Sequence, residues 1–265
     1  MVVSIFFPPL MPVTASGHII EGSGLFDGSS GYLSRTPSSA SGNNELVLRF
    51  IGKVSSFGTD RYLADTTGST DTTRFNLQFT TADELQLGFQ NIVPFKTTQK
   101  FRDPSAFLDI IISISVSASG ANKLKLFING TEVTDFSVDQ RSSIGSTVGW
   151  NANIKQYITS ADGGSAFFGG YIAQVGNFAG GSIQNATYAI TDFGEVTDDG
   201  FWQINDVSGF TFGTNGFLLE GGTNVASGFD TSSGSNHVYT GSSASVGFSG
   251  ANAANVIDRT RSTTS

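Results

Sequence analysis

Residues 123–133 read KLKLFINGTEV. Leu124, Leu126 and Ile128 occupy alternate positions and so share one face of an extended strand. Asn129-Gly130 then supplies two residues that tolerate positive φ, which a two-residue type I′ turn demands. Such a turn pairs Ile128 with Thr131, Leu126 with Val133 and Leu124 with Asp135. The apolar face continues past the turn, while Lys123, Lys125, Glu132 and Thr134 take the wet face. The segment is predicted to be a half-buried antiparallel hairpin.

The rest of the chain repeats this grammar. GLFDG, YLSRT, ELVLRFIGKV, RFNLQFTT, ELQLGFQN, LDIIISISVS, TEVTDF, GYIAQVGNF and GFLLEG alternate in the same way, nearly all of them separated by clusters of Gly, Ser, Asn, Asp or Pro. No long amphipathic helix interrupts them. The 265 residues include 33 Gly and 23 Phe, which suit turns and strands respectively. In LDIIISISVS, residues Ile110, Ile112, Ile114 and Val116 share one face and Ile111 lies on the other, as in a central strand with one deeply buried side. Strands at this spacing predict an all-β antiparallel sandwich or jelly roll. Alternation weakens after Gly180. The expected division is an N-terminal arm over 1–20, a jelly roll over 21–180, and a loop-rich C-terminal β extension over 181–265 that packs on the jelly roll.

Specific words then appear in a fixed order. LFDGSSGYLSRTPSSAS (25–41) opens the set, FRDPSAFLDIIISI (101–114) precedes KLKLFINGTEV, and FFGGYIAQVGNF (167–178) closes it. TDFGEV (191–196), GFW (200–202), FGTNGFLLE (212–220) and DTSSGSN (230–236) follow. Together they resemble the laminin-G-like, concanavalin-type jelly roll of bacteriophage tail and other virion proteins. The resemblance spans roughly residues 22–245. It implies a virion structural protein of the tail-fibre or tail-protein type, made in the host cytoplasm and located on the particle. Its implied partners are other virion proteins and a host cell-surface glycan. It further implies a homo-oligomer, with a trimer expected for a fibre. A capsid decoration or head-fibre role, and a glycan-cleaving enzyme on a lectin-like sandwich, are the alternatives.

The residues themselves exclude several chemistries. A net charge of −8 without a basic run argues against nucleic-acid binding, and the absence of Cys removes disulfides and thiolate metal sites. No stretch reaches membrane-spanning length. His18 and His237 are the two histidines, far apart in sequence and both in polar loops, and no Gly-x-Ser-x-Gly elbow occurs. Asp60, Asp65, Asp71, Asp83, Glu84, Asp198 and Asp199 read as solvated turn acids rather than the facing pair of a glycosidase. Asp65–Asp71 and Asp230–Asn236 carry oxygen-bearing side chains of the kind Ca²⁺ uses, but both read more simply as Asp/Gly turns. No catalytic residue, metal or cofactor is assigned.

Two surface features remain. Trp150 and Tyr157 lie in the polar stretch GSTVGWNANIKQYITSADGG and are expected to contact a glycan. VVSIFFPPLMPV (2–13) is apolar and uncharged, and Pro8-Pro9 keeps it extended. Ile5, Phe6, Phe7, Leu10 and Met11 are expected to form an arm that docks on a neighbouring subunit.

Overall fold

The computed structural model describes residues 17–41, 44–66, 73–227, 231, 240–241 and 247–248. The strands in chain order are β1 (Gly24–Asp27), β2 (Leu33–Arg35), β3 (Glu45–Val54), β4 (Arg61–Thr66), β5 (Phe75–Phe79), β6 (Glu84–Phe89), β7 (Ile92–Lys100), β8 (Leu108–Ser115), β9 (Leu124–Ile128), β10 (Thr131–Glu132), β11 (Phe136–Asp139), β12 (Gln156–Ile158), β13 (Gly169–Ala179), β14 (Gly194–Val196), β15 (Trp202–Ile204), β16 (Phe217–Glu220), β17 (Thr240–Gly241) and β18 (Gly247–Phe248). Two short helices, α1 (Ile190–Phe193) and α2 (Gly222–Ser227), complete them. No helix among the described residues is long and apolar enough to cross a membrane.

Two eight-stranded sheets face each other. The first runs β10-β9-β8-β3-β13-β1-β18, and β16 lies beside the second half of β13 where β1 lies beside the first. The second runs β11-β7-β6-β5-β4-β12-β2-β17. The pairings in both sheets are antiparallel, so the chain is an all-β jelly-roll sandwich. Period-two alternation fills the space between the sheets. Leu46, Leu48 and Phe50 of β3 and Ile110, Ile112 and Ile114 of β8 meet Phe75, Leu77 and Phe79 of β5 and Leu85, Leu87 and Phe89 of β6. Each such side chain contributes about 1.5–3 kcal/mol when fully removed from water.

The Asn-Gly turn forms as its residues require. Asn129 has φ 49° and Gly130 has φ 74°, and Ile128 faces Thr131. The Val133 N–H donates to the Leu126 carbonyl at 2.8 Å. The ribbon ends sooner than the alternation suggests, and Leu124 does not face Asp135. The chain crosses to the second sheet instead, where β11 pairs with β7 and Phe136 packs against Phe95 at a ring separation of 5.7 Å. The burial of Phe136 outweighs continuation of a solvated ribbon.

The outer face of the first sheet is not wet either. Val47, Ile51, Ile111, Phe127, Ala173, Phe178 and Leu218 form a second apolar cluster with Phe193, Trp202, Ile204, Val207 and Phe212. The latter five come from residues 180–216, a flap inserted between β13 and β16 of one sheet. Under it, Arg49 and Asp109 form a fully buried two-point ion pair at 2.7 and 2.9 Å. The Arg49 guanidinium also donates to the Phe193 carbonyl at 2.9 Å, so the flap itself adds a hydrogen bond to the pair. Residues 181–265 therefore supply both the flap and strands of the two main sheets.

Candidate functional site

The outer face of the second sheet is built differently. Phe75, Leu77 and Phe79 point inward, so Asn76 and Gln78 between them point outward. Strand register extends them into two rows. One row runs Ser34, Tyr157, Asp65, Asn76, Gly88 across β2, β12, β4, β5 and β6. The next runs Tyr62, Gln78, Gln86, Lys96 across β4, β5, β6 and β7. Among the described residues, no apolar cluster forms over these rows. The result is a polar strip edged by tyrosines, on the sheet face that the flap does not cover.

The amides sit deep in this strip. Asn76 is 5 % exposed and Gln78 8 %, and neither Asn76 Oδ1 nor Gln78 Oε1 has a hydrogen-bond partner among the described residues. Opposite Asn76 stands Gly88, where an added Cβ would collide with Asn76 Oδ1 and approach an Arg74 guanidinium nitrogen. The missing side chain at Gly88 is what leaves room for the Asn76 amide.

Asp65 is 8 % exposed and lies beside Asn76. Burial pushes its carboxyl up to about 6, against the lowering effect of N–H donors from Asp162 and Thr66 and of the Arg74 charge. The Asp162 N–H donates to Asp65 Oδ2 at 3.0 Å. Burial raises the Tyr62 phenol, and the charge of Asp65 raises it further. Half-buried Tyr32 and Phe167 flank the end of the strip: the Tyr32 ring centroid lies 5.7 Å from that of Tyr157 and 6.4 Å from that of Phe167.

The sequence-based candidates fall elsewhere or change meaning. Trp150 is 0 % exposed and is no surface ring: it packs 5.3 Å from Phe75 in the main core. Its polar neighbours misled because the stretch crosses the end of the sandwich and then enters β12. Tyr157 does face outward, but it is only 4 % exposed, held between Tyr32 and the Lys155 ammonium at 5.0 Å. Tyr62 and Tyr32 are the half-buried rings instead. Ile5, Phe6, Phe7, Leu10 and Met11 lie outside the described residues, as do Asp71 and His237.

Several acids are not solvated turn residues. Asp65 belongs to β4, and Glu84 to β6, where it lies 3.9 Å from Lys96. Asp83 is buried between Arg61 at 2.9 Å and Arg102 at 2.8 Å, and Asp109 holds Arg49. His18 Nε2 meets Glu220 Oε1 at 2.9 Å, and this hydrogen bond holds the His18 pKa above its ordinary value. Among the described residues, no group of three His, Asp or Glu could hold a metal ion.

A groove of about 740 Å³ opens at the tip of the β9–β10 hairpin. Ile128, Asn129, Glu132, Val133, Phe201 and Trp202 line it. Glu132, its one carboxylate on β10, lies 3.4 Å from the Lys125 ammonium.

No protein-family model matches the chain, and no curated protein matches it. Its architecture is similar to that of solved sandwiches. The native heptameric SAP-like pentraxin of Limulus polyphemus is 12% identical over 60% of this chain and 76% of its own, with a TM-score of 0.42. The CBM40 module of the Ruminococcus gnavus IT-sialidase, bound to α2,3-sialyllactose, is 15% identical over 59% and 89%, with a TM-score of 0.38. The NanB sialidase of Streptococcus pneumoniae is 13% identical over 65% of this chain and 29% of its own, with a TM-score of 0.40. At these identities the likeness concerns the two-sheet architecture and not activity or ligand.

Proposed function

We propose that the chain is a structural, non-catalytic protein of a bacteriophage particle, of the tail-fibre or tail-surface type, that contacts host-surface glycan through the outer face of its second sheet. The observation that carries the glycan half is the strip itself. Its amides and carboxyl suit sugar hydroxyls, and the Tyr62 and Tyr32 rings suit the C–H faces of sugars. The virion half rests on the ordered words that resemble phage jelly rolls and on a chain in which only 14% of residues are charged. Assembly through residues 2–13 and a trimeric state belong to the same reading. Biolayer interferometry against immobilised lipopolysaccharides and capsular polysaccharides tests it. Binding to at least one surface is expected, weakened about tenfold by Tyr62→Ala, the order of one good contact. Binding to none, or binding indifferent to Tyr62→Ala, overturns it.

One observation favours a second reading, a glycan-cleaving enzyme. Asp65, with its carboxyl pushed up to about 6, has the protonation range of a general acid, and Asp162 lies beside it. Steady release of reducing ends that disappears in Asp65→Asn would establish that reading in place of the first.

A further inference from the structure

The outer face of the first sheet carries one more row, at the rim of the flap. Register sets Leu25 of β1 beside Tyr171 of β13, and Tyr171 beside Lys53 of β3. Gly52 faces Leu108 of β8, so the row continues from Lys53 to Phe107, the residue that precedes β8. Phe26, Ile172 and Val54, next to these in sequence, point into the main core, so the row itself points outward. Ile51 and Ala173, on the same outer face, lie in the cluster under the flap. Phe107 leans on that cluster, and Tyr171 and Lys53 do not belong to it. All four side chains of the row are half-buried.

The Lys53 ammonium stands between two rings, 4.8 Å from the centre of Tyr171 and 5.3 Å from that of Phe107. The rings hold the aliphatic stem and leave the charged head at the surface. Lys96 and Lys125 each meet a carboxylate of the protein, Glu84 and Glu132. Among the described residues Lys53 meets none, in a chain of net charge −8. Lys53 Nζ and the Tyr171 hydroxyl have no hydrogen-bond partner among the described residues, and both are open to solvent rather than closed in.

An ammonium has three donors and no acceptor, so the group that meets Lys53 must accept, and a carboxylate gains most from the charge. The rings on either side suit the C–H face of a sugar, and the Tyr171 hydroxyl can pair with a sugar hydroxyl in either sense. We infer that this row is a sugar-contact site for an acidic sugar, whose carboxylate accepts from Lys53 Nζ while its ring lies on Tyr171 or Phe107. The site is on the other sheet from the polar strip and stands or falls independently of it.

Short probes that differ only in charge test the site. Digalacturonate is compared with its dimethyl ester, and α2,3-sialyllactose with lactose. An acetylated triglutamate peptide is the acidic probe that lacks a sugar. Binding is followed by nuclear magnetic resonance titration of the intact chain and of Lys53→Gln, Lys53→Arg, Tyr171→Leu and Tyr62→Ala, with thermal unfolding in parallel. The expected result is that the intact chain binds at least one acidic sugar and binds its neutral counterpart about tenfold more weakly or worse. That affinity should fall between about 50 mM and 500 mM salt, as an ion pair at the surface requires. Lys53→Gln and Tyr171→Leu should weaken it about tenfold, and Lys53→Arg should retain most of it. Tyr62→Ala should leave it unchanged, because Tyr62 belongs to the strip. No binding of either acidic sugar overturns the inference, as does equal binding of the neutral counterparts. Triglutamate binding as tightly as the sugars shows an anion site without sugar recognition and overturns it too. Acidic-sugar binding that persists in Lys53→Gln and is lost in Tyr62→Ala assigns the ligand to the strip, which overturns this inference and leaves the strip's glycan contact standing.

Discussion

The six-membered ring of Trp202 lies against the bare Cα of Gly130, so that a Cβ added there would enter the ring. The same indole donates from Nε1 to Asp109 Oδ2 at 2.9 Å, and the Asp109 N–H donates to Asn129 Oδ1 at 2.8 Å. Flap, hairpin and central strand thus close on one point. The Asn-Gly pair has two tasks there: its positive φ makes the turn, and its second residue leaves the space the indole occupies.

Substitution at Gly130 separates these tasks. Gly130→Asn tolerates the φ of 74° but still places a Cβ against Trp202, whereas Gly130→Val fails on both counts. Gly130→Val is expected to lose about 1–3 kcal/mol or more, and Gly130→Asn less. Urea unfolding measures both. Equal losses would assign the whole effect to the indole contact, and no loss in either would remove the turn from any stabilising role.

The Arg49–Asp109 pair, with both side chains fully buried, gives a second test. Asp109 also accepts from Trp202, so Asp109→Ala strands a guanidinium and an indole N–H under the flap. A loss of about 3–5 kcal/mol is expected, and a similar one for Arg49→Ala. The double variant Arg49→Met with Asp109→Leu should lose much less than the sum, because no buried charge is then left alone. Additive losses in the cycle would show that the two groups do not act as a pair.

What could be read in the sequence follows from where alternation is clean. β3, β8 and β9 have one face on the main core, and their segments stand out by period two alone. β4, β7 and β12 do not. β7 contains Pro94 and ends in TTQK, β4 carries the bulge between Tyr62 and Ala64, and β12 is three residues long inside a polar stretch. Their partners place them, not their own pattern. The strip was hidden for the same reason. Asn76 and Gln78 look like the wet face of an ordinary strand, and Asp65 like a turn acid, until β4, β5 and β6 are set side by side. Trp150 erred in the opposite direction: a lone aromatic among Gly, Ser and Asn suggests exposure, yet it fills the end of a core that the local sequence does not show.

The Asp65 carboxyl carries a pH signature. Its ordinary value of 3.8 is raised to about 6 in the folded chain. The folded state therefore holds this proton more tightly than the unfolded one. The penalty of ionising Asp65 is fully present above about pH 6 and fades as pH falls toward 3.8. Asp65→Asn removes the penalty while keeping an oxygen that can accept the Asp162 N–H. The variant is expected to be more stable than the parent at pH 8, by on the order of 1–3 kcal/mol, with the gap closing near pH 4. Denaturant midpoints at the two pH values measure it. A gap that does not change with pH would assign the difference to packing or hydrogen bonding instead of ionisation.

The remaining prediction concerns the N-terminal segment. The described chain is already tied down where it begins. The His18 N–H donates to the Ile204 carbonyl at 3.0 Å, His18 Nε2 meets Glu220, and Ile20 is buried in the cluster beneath the flap. Ile19 between them is 54 % exposed. These anchors hold residues 18–20 to the body. An uncharged apolar run of that length is a contiguous patch that monomeric proteins seldom leave uncovered, so its cover is either its own body or another subunit. Deleting residues 2–13 separates the two. If the segment docks on a neighbour, the shortened chain keeps its unfolding midpoint, and sedimentation shows the oligomer replaced by monomer. If the midpoint collapses and the association state does not change, the segment belongs to its own chain's core. Docking is the expected outcome, because His18 and Ile20 already hold the start of the described chain to the body.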